Sequence, residues 1–581
     1  GVAIGAYAAA ANTTGSDNTG VGYASLNSNT TGASNTAVGR SALTSNTTAS
    51  QNTAVGYLSL TTNTTGQDNT AVGMDCMRLN TTGAQNTAIG QNTLEANTTA
   101  DNNTALGYEA LKANTSGTQH VAVGSGALLK TTTASNNVAV GYMSAEETTT
   151  GFANIAIGAY ALQENTTAYS NVAIGYQSMQ DGNLQNGNVA VGYQAMKANT
   201  TSSNSVAIGY QALVAQTTGS GNVAVGDRAL ATVTTAGTNT AIGAQALRYN
   251  TTGADNTAVG AYALDANTTA TGNTAVGKAA LSNNTTGYSN VAVGKDSLVA
   301  NTTGAMCVAV GHGALSAVTT GEKNIGIGYL AGTALTDSED NVAVGQQALE
   351  ACTTGDRNVA IGTRALDNNT ASDNVAVGME ALKNNTGGSH NTALGYHALK
   401  SNTTAGSNVA IGNQSLEENT TGERNVAIGR AVLESNTTGG YNVGVGYVVL
   451  NNSNGSYNVG VGYEALKQNT GGQQNIGMGV NALTANTTGD YNVAIGPNAL
   501  MAADGGDNSV GVGRNALINC TTGNHNTAIG GSACLYGLTT GTYNSAIGVD
   551  AGQNVSTGTN NSFLGYQAGT ASSPSGALTG S

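Results

Sequence analysis

Bulky and small residues alternate over a three-residue run such as Thr53-Ala54-Val55, and a glycine closes the run at Gly56. Seventeen residues later the run returns as Thr70-Ala71-Val72-Gly73, and it keeps returning through nearly the whole chain. Aligned on that glycine, the sequence holds 34 copies, from Gly5, Gly22 and Gly39 to Gly548 and Gly565. The alternation predicts a short strand, and the glycine a corner where φ is positive or a Cβ has no space. A second apolar segment follows, usually Tyr-x-Ala-Leu as in Tyr210-Gln211-Ala212-Leu213, and then a polar turn such as Asn63-Thr64-Thr65-Gly66. The Ala-Leu segment is too short for a helix, so a second short strand or an extended bend is expected there.

A fixed short period means that one repeat cannot bury its own apolar residues and must stack on the next. The predicted fold class is therefore all-β: a parallel β-solenoid, or β-roll, of 34 coils with a 17-residue period. No composition shift or linker divides the chain, so residues 1–581 read as a single continuous repeat domain, with variant terminal coils at about 544–581. With strands ~4.8 Å apart, such a stack is on the order of 160 Å long. The period slips three times: one residue short between Asn358 and Asn374 and between Asn442 and Asn458, one long between Asn526 and Asn544. Turns are expected to absorb these slips, because a one-residue shift in a strand turns every side chain to the other face.

The residue before the strand, taken as position 0, is Asn in 29 of the 34 copies; the exceptions are Gly1, His120, Ser205, Cys307 and Ser509. Stacking predicts ladders of these amides and of the turn asparagines, each bonded to the coils above and below. Position 2 is Ala or Gly in every copy except Phe563. A strand puts that position on one face and positions 1 and 3 on the other. An outward row of Ala implies that another backbone, that of a sister chain, comes close to it. With the parity reversed, the Val/Ile row points outward and forms a long apolar surface in need of cover. Either parity predicts self-association.

The composition, with 82 Gly, 2 Pro, no Trp and 9% charged residues, is one that disordered segments also show, but a strict apolar register at Val55, Val72 and Ile89 is not. A net charge of −14 and scattered basic residues argue against nucleic-acid binding. Five cysteines at unrelated positions suggest neither a zinc site nor a disulfide framework. No apolar run is long enough to span a bilayer, so no membrane insertion is expected. The chain opens in mid-repeat at Gly1, which suggests a fragment or a processed piece.

No catalytic, cofactor-binding or metal-binding residue is expected, and the chain does not read as an enzyme. Gly444-Val445-Gly446 and Gly460-Val461-Gly462 are strand positions with no phosphate-loop context. His120, His312, His390, His397 and His525 form no ladder of ligands, and the acidic run Asp337-Ser338-Glu339-Asp340 reads as a solvated turn. Asn-Thr-Thr occurs sixteen times and is formally a glycosylation sequon, although ladder residues are the default reading. Regular Thr rows bring ice-binding solenoids into view as a further class.

The core at Asn171 to Ser178 and at Ser205 to Ala212 resembles the head repeat of trimeric autotransporter adhesins. The longer Asn-Thr-Ala-Val-Gly-Tyr-x-Ala-Leu-x-x-Asn-Thr-Thr-Gly form is similar to the repeat tracts of phage tail fibres and related tail-fibre-domain proteins, and Asn561 to Gly569 resembles a variant repeat found towards their C-terminal chaperone. The adhesin repeat is shorter than seventeen residues. The resemblance implies a left-handed coil, a homotrimer and an extracellular location on a virion tail fibre or cell surface. It also implies a structural shaft that spaces a tip, outside this chain, from which a host-cell receptor or glycan is bound. The alternative it implies is a bacterial surface adhesin whose rod binds glycan or matrix.

Overall fold

A computed structural model describes residues 1–182 and 185–570. It divides the chain into two compact units, residues 1–290 and 291–581. Each carries 17 short strands, from Val2–Ile4 to Thr274–Val276 in the first unit and from Val291–Val293 to Ser562–Leu564 in the second. Within each unit every strand pairs parallel with the strand one coil away, matching position for position across positions 1 to 3, as Thr53↔Thr70, Ala54↔Ala71 and Val55↔Val72. The all-β parallel solenoid with a 17-residue period is thus observed. Of the variant terminal coils at about 544–581, residues 571–581 lie outside the described residues.

Position 2 is not the outward face. Ala37, Ala54, Ala71 and Ala88 are fully buried, while positions 1 and 3 point away from the coil. The methyl ceiling is imposed by the chain itself: a Cβ on Gly326 would lie 2.7 Å from Leu315 Cγ of the preceding coil and 3.1 Å from the Ala331 carbonyl oxygen. The expectation that a sister chain crowds the Ala column is therefore corrected.

The core is a stack of Ala, Leu and Asn columns. Where one column departs, its neighbour compensates. Val432 and Val449 stand where most coils have Ala or Ser, and the following coils carry Gly444 and Gly460 at position 2. A Cβ on Gly444 would collide with Val432 Cγ1, and one on Gly460 would lie 2.5 Å from Val449 Cγ1. Phe563 fits because Gly552 and Gly569 replace the usual Leu beside it; a Cβ on Gly552 would come within 2.9 Å of the Phe563 ring. Constant volume, not constant sequence, is what close packing requires.

The Ala-Leu segment is a run of turns in place of a second strand. Two of its residues are left-handed in coil after coil, as Leu58 (φ 55°) and Leu60 (φ 50°). Non-glycine residues avoid this region at a cost of ~1–2 kcal/mol each. Here it lets Leu58 N–H donate to Arg40 O in one neighbouring coil and Leu60 N–H donate to Cys76 O in the other, at 3.1 and 3.0 Å. The corner thus bonds to the coils on both sides of it. The strand-closing glycine meets both expectations: Gly90 has φ 136°, and a Cβ there would lie 2.5 Å from the Gly107 carbonyl oxygen.

Two asparagine ladders run beside the Ala column. At position 0, Asn69 N–H donates to Asn52 Oδ1 at 3.0 Å while Asn69 Nδ2 donates to Gly83 O at 2.9 Å. In the turn, Asn63 Nδ2 donates to Asn46 Oδ1 at 3.0 Å and to Gly66 O at 2.9 Å. Substitutes keep the first ladder going, since Asn222 N–H donates to Ser205 Oγ and Asn137 N–H to His120 Nδ1, both at 3.2 Å.

The two shortened coils lose their residue in the turn, where Asn369 Nδ2 reaches Ala371 O two residues on in place of three; their strands stay in register. The lengthened coil differs. Its extra residue follows the strand glycine and is taken up as an irregularity between Thr527–Ser532 and Val510–Arg514, where Arg514 pairs with Ser532. A bulge at a strand end accommodates what a strand centre cannot.

Candidate functional site: the outward strand face

With Ala inside, positions 1 and 3 build the exposed face of each unit. In none of the 34 strands is either residue charged: position 1 is Thr, Val, Ile or Ser, and position 3 is Val, Ile, Leu or Met. Val38, Ile89 and Leu106 are 37%, 39% and 45% exposed. A sheet face that meets water ordinarily alternates hydrophobic-in with polar-out residues, including Lys and Glu. This chain places its charges elsewhere.

Tyrosines flank the face. Just beyond the strand glycine, Tyr176, Tyr193 and Tyr210 stack at centroid separations of 5.6 and 5.2 Å, and the Arg228 guanidinium lies 5.5 Å from the Tyr210 ring. In the second unit, stacked tyrosines flank two successive strands on both sides. Tyr441 and Tyr457 (4.8 Å) precede the strands Val443–Tyr447 and Val459–Tyr463, and Tyr447 and Tyr463 (5.5 Å) end them. Arg424 lies over Tyr441 and bonds its hydroxyl, and Arg430 lies over Tyr447.

On the turn side, several charged side chains pair with one another. A shallow groove there of about 420 Å³ is lined by Leu79, Glu95, Glu109, Lys112, Leu129 and Lys130 among others. Its Lys112 Nζ is 2.6 Å from Glu109 Oε1, while Glu95 pairs with Arg78 at 2.7 Å and Lys130 with Glu147 at 2.5 Å. The hydrogen bond from Lys112 holds the Glu109 carboxyl below its usual range. Around His397, Glu417 Oε1 is 2.9 Å from Nδ1 and Glu380 Oε2 is 3.2 Å from Nε2. Lys383 and Lys400 hydrogen-bond Glu380 and lower its pKa to about 2.

The remaining histidines are dispersed. His120 is buried at position 0 with Nε2 2.7 Å from Ala134 O; burial pushes its pKa down, and its Nδ1 accepts from Asn137 N–H, so the ring is neutral. His312 stacks on Tyr329, His525 stacks on Tyr543, and His390 lies 3.9 Å from Asp373. Asp337, Glu339 and Asp340 are exposed in a turn around a buried Ser338. Gly444 and Gly460 are buried strand residues. Among the described residues no three His, Cys, Asp or Glu side chains converge as a metal site. The five cysteines are buried free thiols, and burial pushes the Cys76 thiol up to about 12.

The Asn-Thr-Thr runs are ladder residues. Asn63, Asn80 and Asn97 are fully buried, so their amides are out of reach of a glycan-transferring enzyme once the coil has formed. The first Thr spends its hydroxyl on the next coil, as Thr64 Oγ1 donates to Thr81 O at 3.0 Å. Compared with protein-family models and with curated proteins, the chain has no match. What sequence reasoning missed is the double tyrosine flank at 441–463; tabulating the residues just before and just after each strand reveals it.

Proposed function

We propose that this chain is a structural shaft of an extracellular attachment fibre, of the phage tail-fibre kind. In this reading three copies wind left-handed and associate through their strand faces. They form a stiff spacer for a tip, outside this chain, that meets a host receptor or glycan. The carrying observation is the uncharged outward face: chains of net charge −14 can meet through strand positions 1 and 3, none of which carries a charge. A face three residues wide and 17 strands long offers ~800 Å² per partner in each unit, the size of a standard stable interface. Its Val, Ile and Tyr content, depleted of Lys and Glu, is that of an interface centre. The role in this reading is mechanical, that of a spacer.

Sedimentation and native mass spectrometry test the reading. The expected species is three times the 57.3 kDa chain mass. Replacing Val55, Val72 and Ile89 together by Lys should weaken it by desolvating charge in the contact. A 57.3 kDa species at micromolar concentration, indifferent to those substitutions, would remove the proposal.

A further inference from the structure

A face built of near-identical coils has an alignment problem. If one copy slides past another by one coil, ~4.8 Å, almost every Val, Ile and Thr contact is replaced by an equivalent one. Periodic contacts supply adhesion, but they do not distinguish one axial alignment from the next. Only features that occur once along the face can do that, as a single polar residue fixes register in a coiled coil.

Such a feature is present in the second unit. Strands Val443–Tyr447 and Val459–Tyr463 are five residues long and pair from Val443↔Val459 to Tyr447↔Tyr463. They are the only strands with tyrosine both just before position 0 and just after the closing glycine. Four exposed rings, of which Tyr457 is 52% exposed, thus frame a floor of Val443, Val445, Val459 and Val461. The preceding coil adds Arg424 and Arg430 over one end, and neither forms an ion pair among the described residues. The neighbouring coils have Ser407 and Asn413 on one side and Gln474 and Val480 on the other. A shift by one coil keeps one tyrosine pair against the other, but sets Tyr457 and Tyr463 of one copy against Gln474 and Val480 of the next and Arg424 and Arg430 against Ser407 and Asn413. Tyr and Arg are the residue types that dominate interface energetics, and aromatic pairs are geometrically selective.

Resting on the self-association reading above, we infer that the Tyr441–Tyr447–Tyr457–Tyr463 frame with Arg424 and Arg430 is the register key that fixes the axial alignment of copies of this chain. The partner it fits is a second copy. The Val and Ile ladder holds copies together, and the key decides which coil meets which.

Disulfide capture in the full chain tests this. Ile361→Cys is mixed with, in separate experiments, Val344→Cys, Ile361→Cys and Val377→Cys, three outward positions one coil apart. The native cysteines are buried and do not compete. In the otherwise intact chain one pairing should exceed the other two by at least ~tenfold. In the variant Y441S/Y447S/Y457S/Y463S the three pairings should come within ~twofold of one another. Ser already occupies the corresponding positions at Ser407 and Ser125, so the coils tolerate it. The variant Y176S/Y193S/Y210S, which removes a one-sided stripe, should leave the single pairing intact. A quadruple variant that keeps one dominant pairing overturns the register key while the self-association reading stands. Absence of every pairing, with a 57.3 kDa species in sedimentation, overturns both.

Discussion

The coils from Asn52 to Asn103 and those from Asn425 to Asn475 follow the same path with different means. In the first set every repeat is 17 residues, every strand is three residues, position 1 is Thr and position 2 is Ala. In the second, one repeat is a residue short, two strands lengthen to five, position 1 is Val or Ile, and position 2 changes from Ala to Gly beside an enlarged Val. Yet Val443↔Val459 is in register as Thr53↔Thr70 is, and Asn458 N–H donates to Asn442 Oδ1 at 2.9 Å as Asn69 N–H donates to Asn52 Oδ1 at 3.0 Å. The fold holds hydrogen-bond register and core volume constant. Repeat length and residue identity vary around them.

The largest effect should be common to both regions. Gly56→Ala and Gly446→Ala each force a Cβ into the next coil's carbonyl at a φ of 139°. Each should cost ~3 kcal/mol or more, seen as local loss of hydrogen-exchange protection in the altered coil and its neighbours. Equal tolerance of Ala at either site would mean that the glycine column answers to something other than space. The next effect separates the regions. Gly444→Ala should cost ~1–3 kcal/mol by overpacking against Val432, whereas Gly444→Ala with Val432→Ala recreates the ordinary coil and should recover most of it. A coupling energy near zero in that double-mutant cycle would sink the volume-swap account.

A smaller effect depends on pH. Burial lowers the His120 pKa in the folded coil, so protonation favours the unfolded chain. Its contribution to stability is complete above the ordinary histidine value of 6.5 and is lost as the pH falls from there towards the lowered folded value. His120→Asn, which restores the commonest residue of that column, should abolish the dependence in hydrogen exchange of coils 103–154; an unchanged profile would place the titration elsewhere. The smallest is a gain. Asn486 Oδ1 has no donor because the next coil offers Ala503, and Ala503→Asn should extend the ladder and stabilise by ~0.5–1.5 kcal/mol. A loss in protection would show that the site has no space for an amide.

Much of this is legible in the sequence, because a ladder requires the same residue at the same place in each coil. Asn at position 0 and the strand glycine announce themselves in that way. Parity does not. Thr53-Ala54-Val55 defines two faces, but which one turns inward depends on the bend that follows, and that bend is built by left-handed residues such as Leu58 and Leu60. Leucine carries no preference for that conformation, and stacking overrides its intrinsic one. The Val432–Gly444 exchange spans two coils, so it is invisible when each column is read alone. The extra residue beside Gly530 escapes the rule that turns absorb slips because the strand there has already ended its apolar run.

In-register pairing one coil away also shapes how the molecule comes into being. No contact waits for a distant part of the chain, so a nascent segment can wind as soon as two or three loops exist and then serve as the mould for the next. Growth of this sort proceeds by accretion, and a pull on the C-terminal end should peel the loops off singly, in the reverse of the order in which they were laid down.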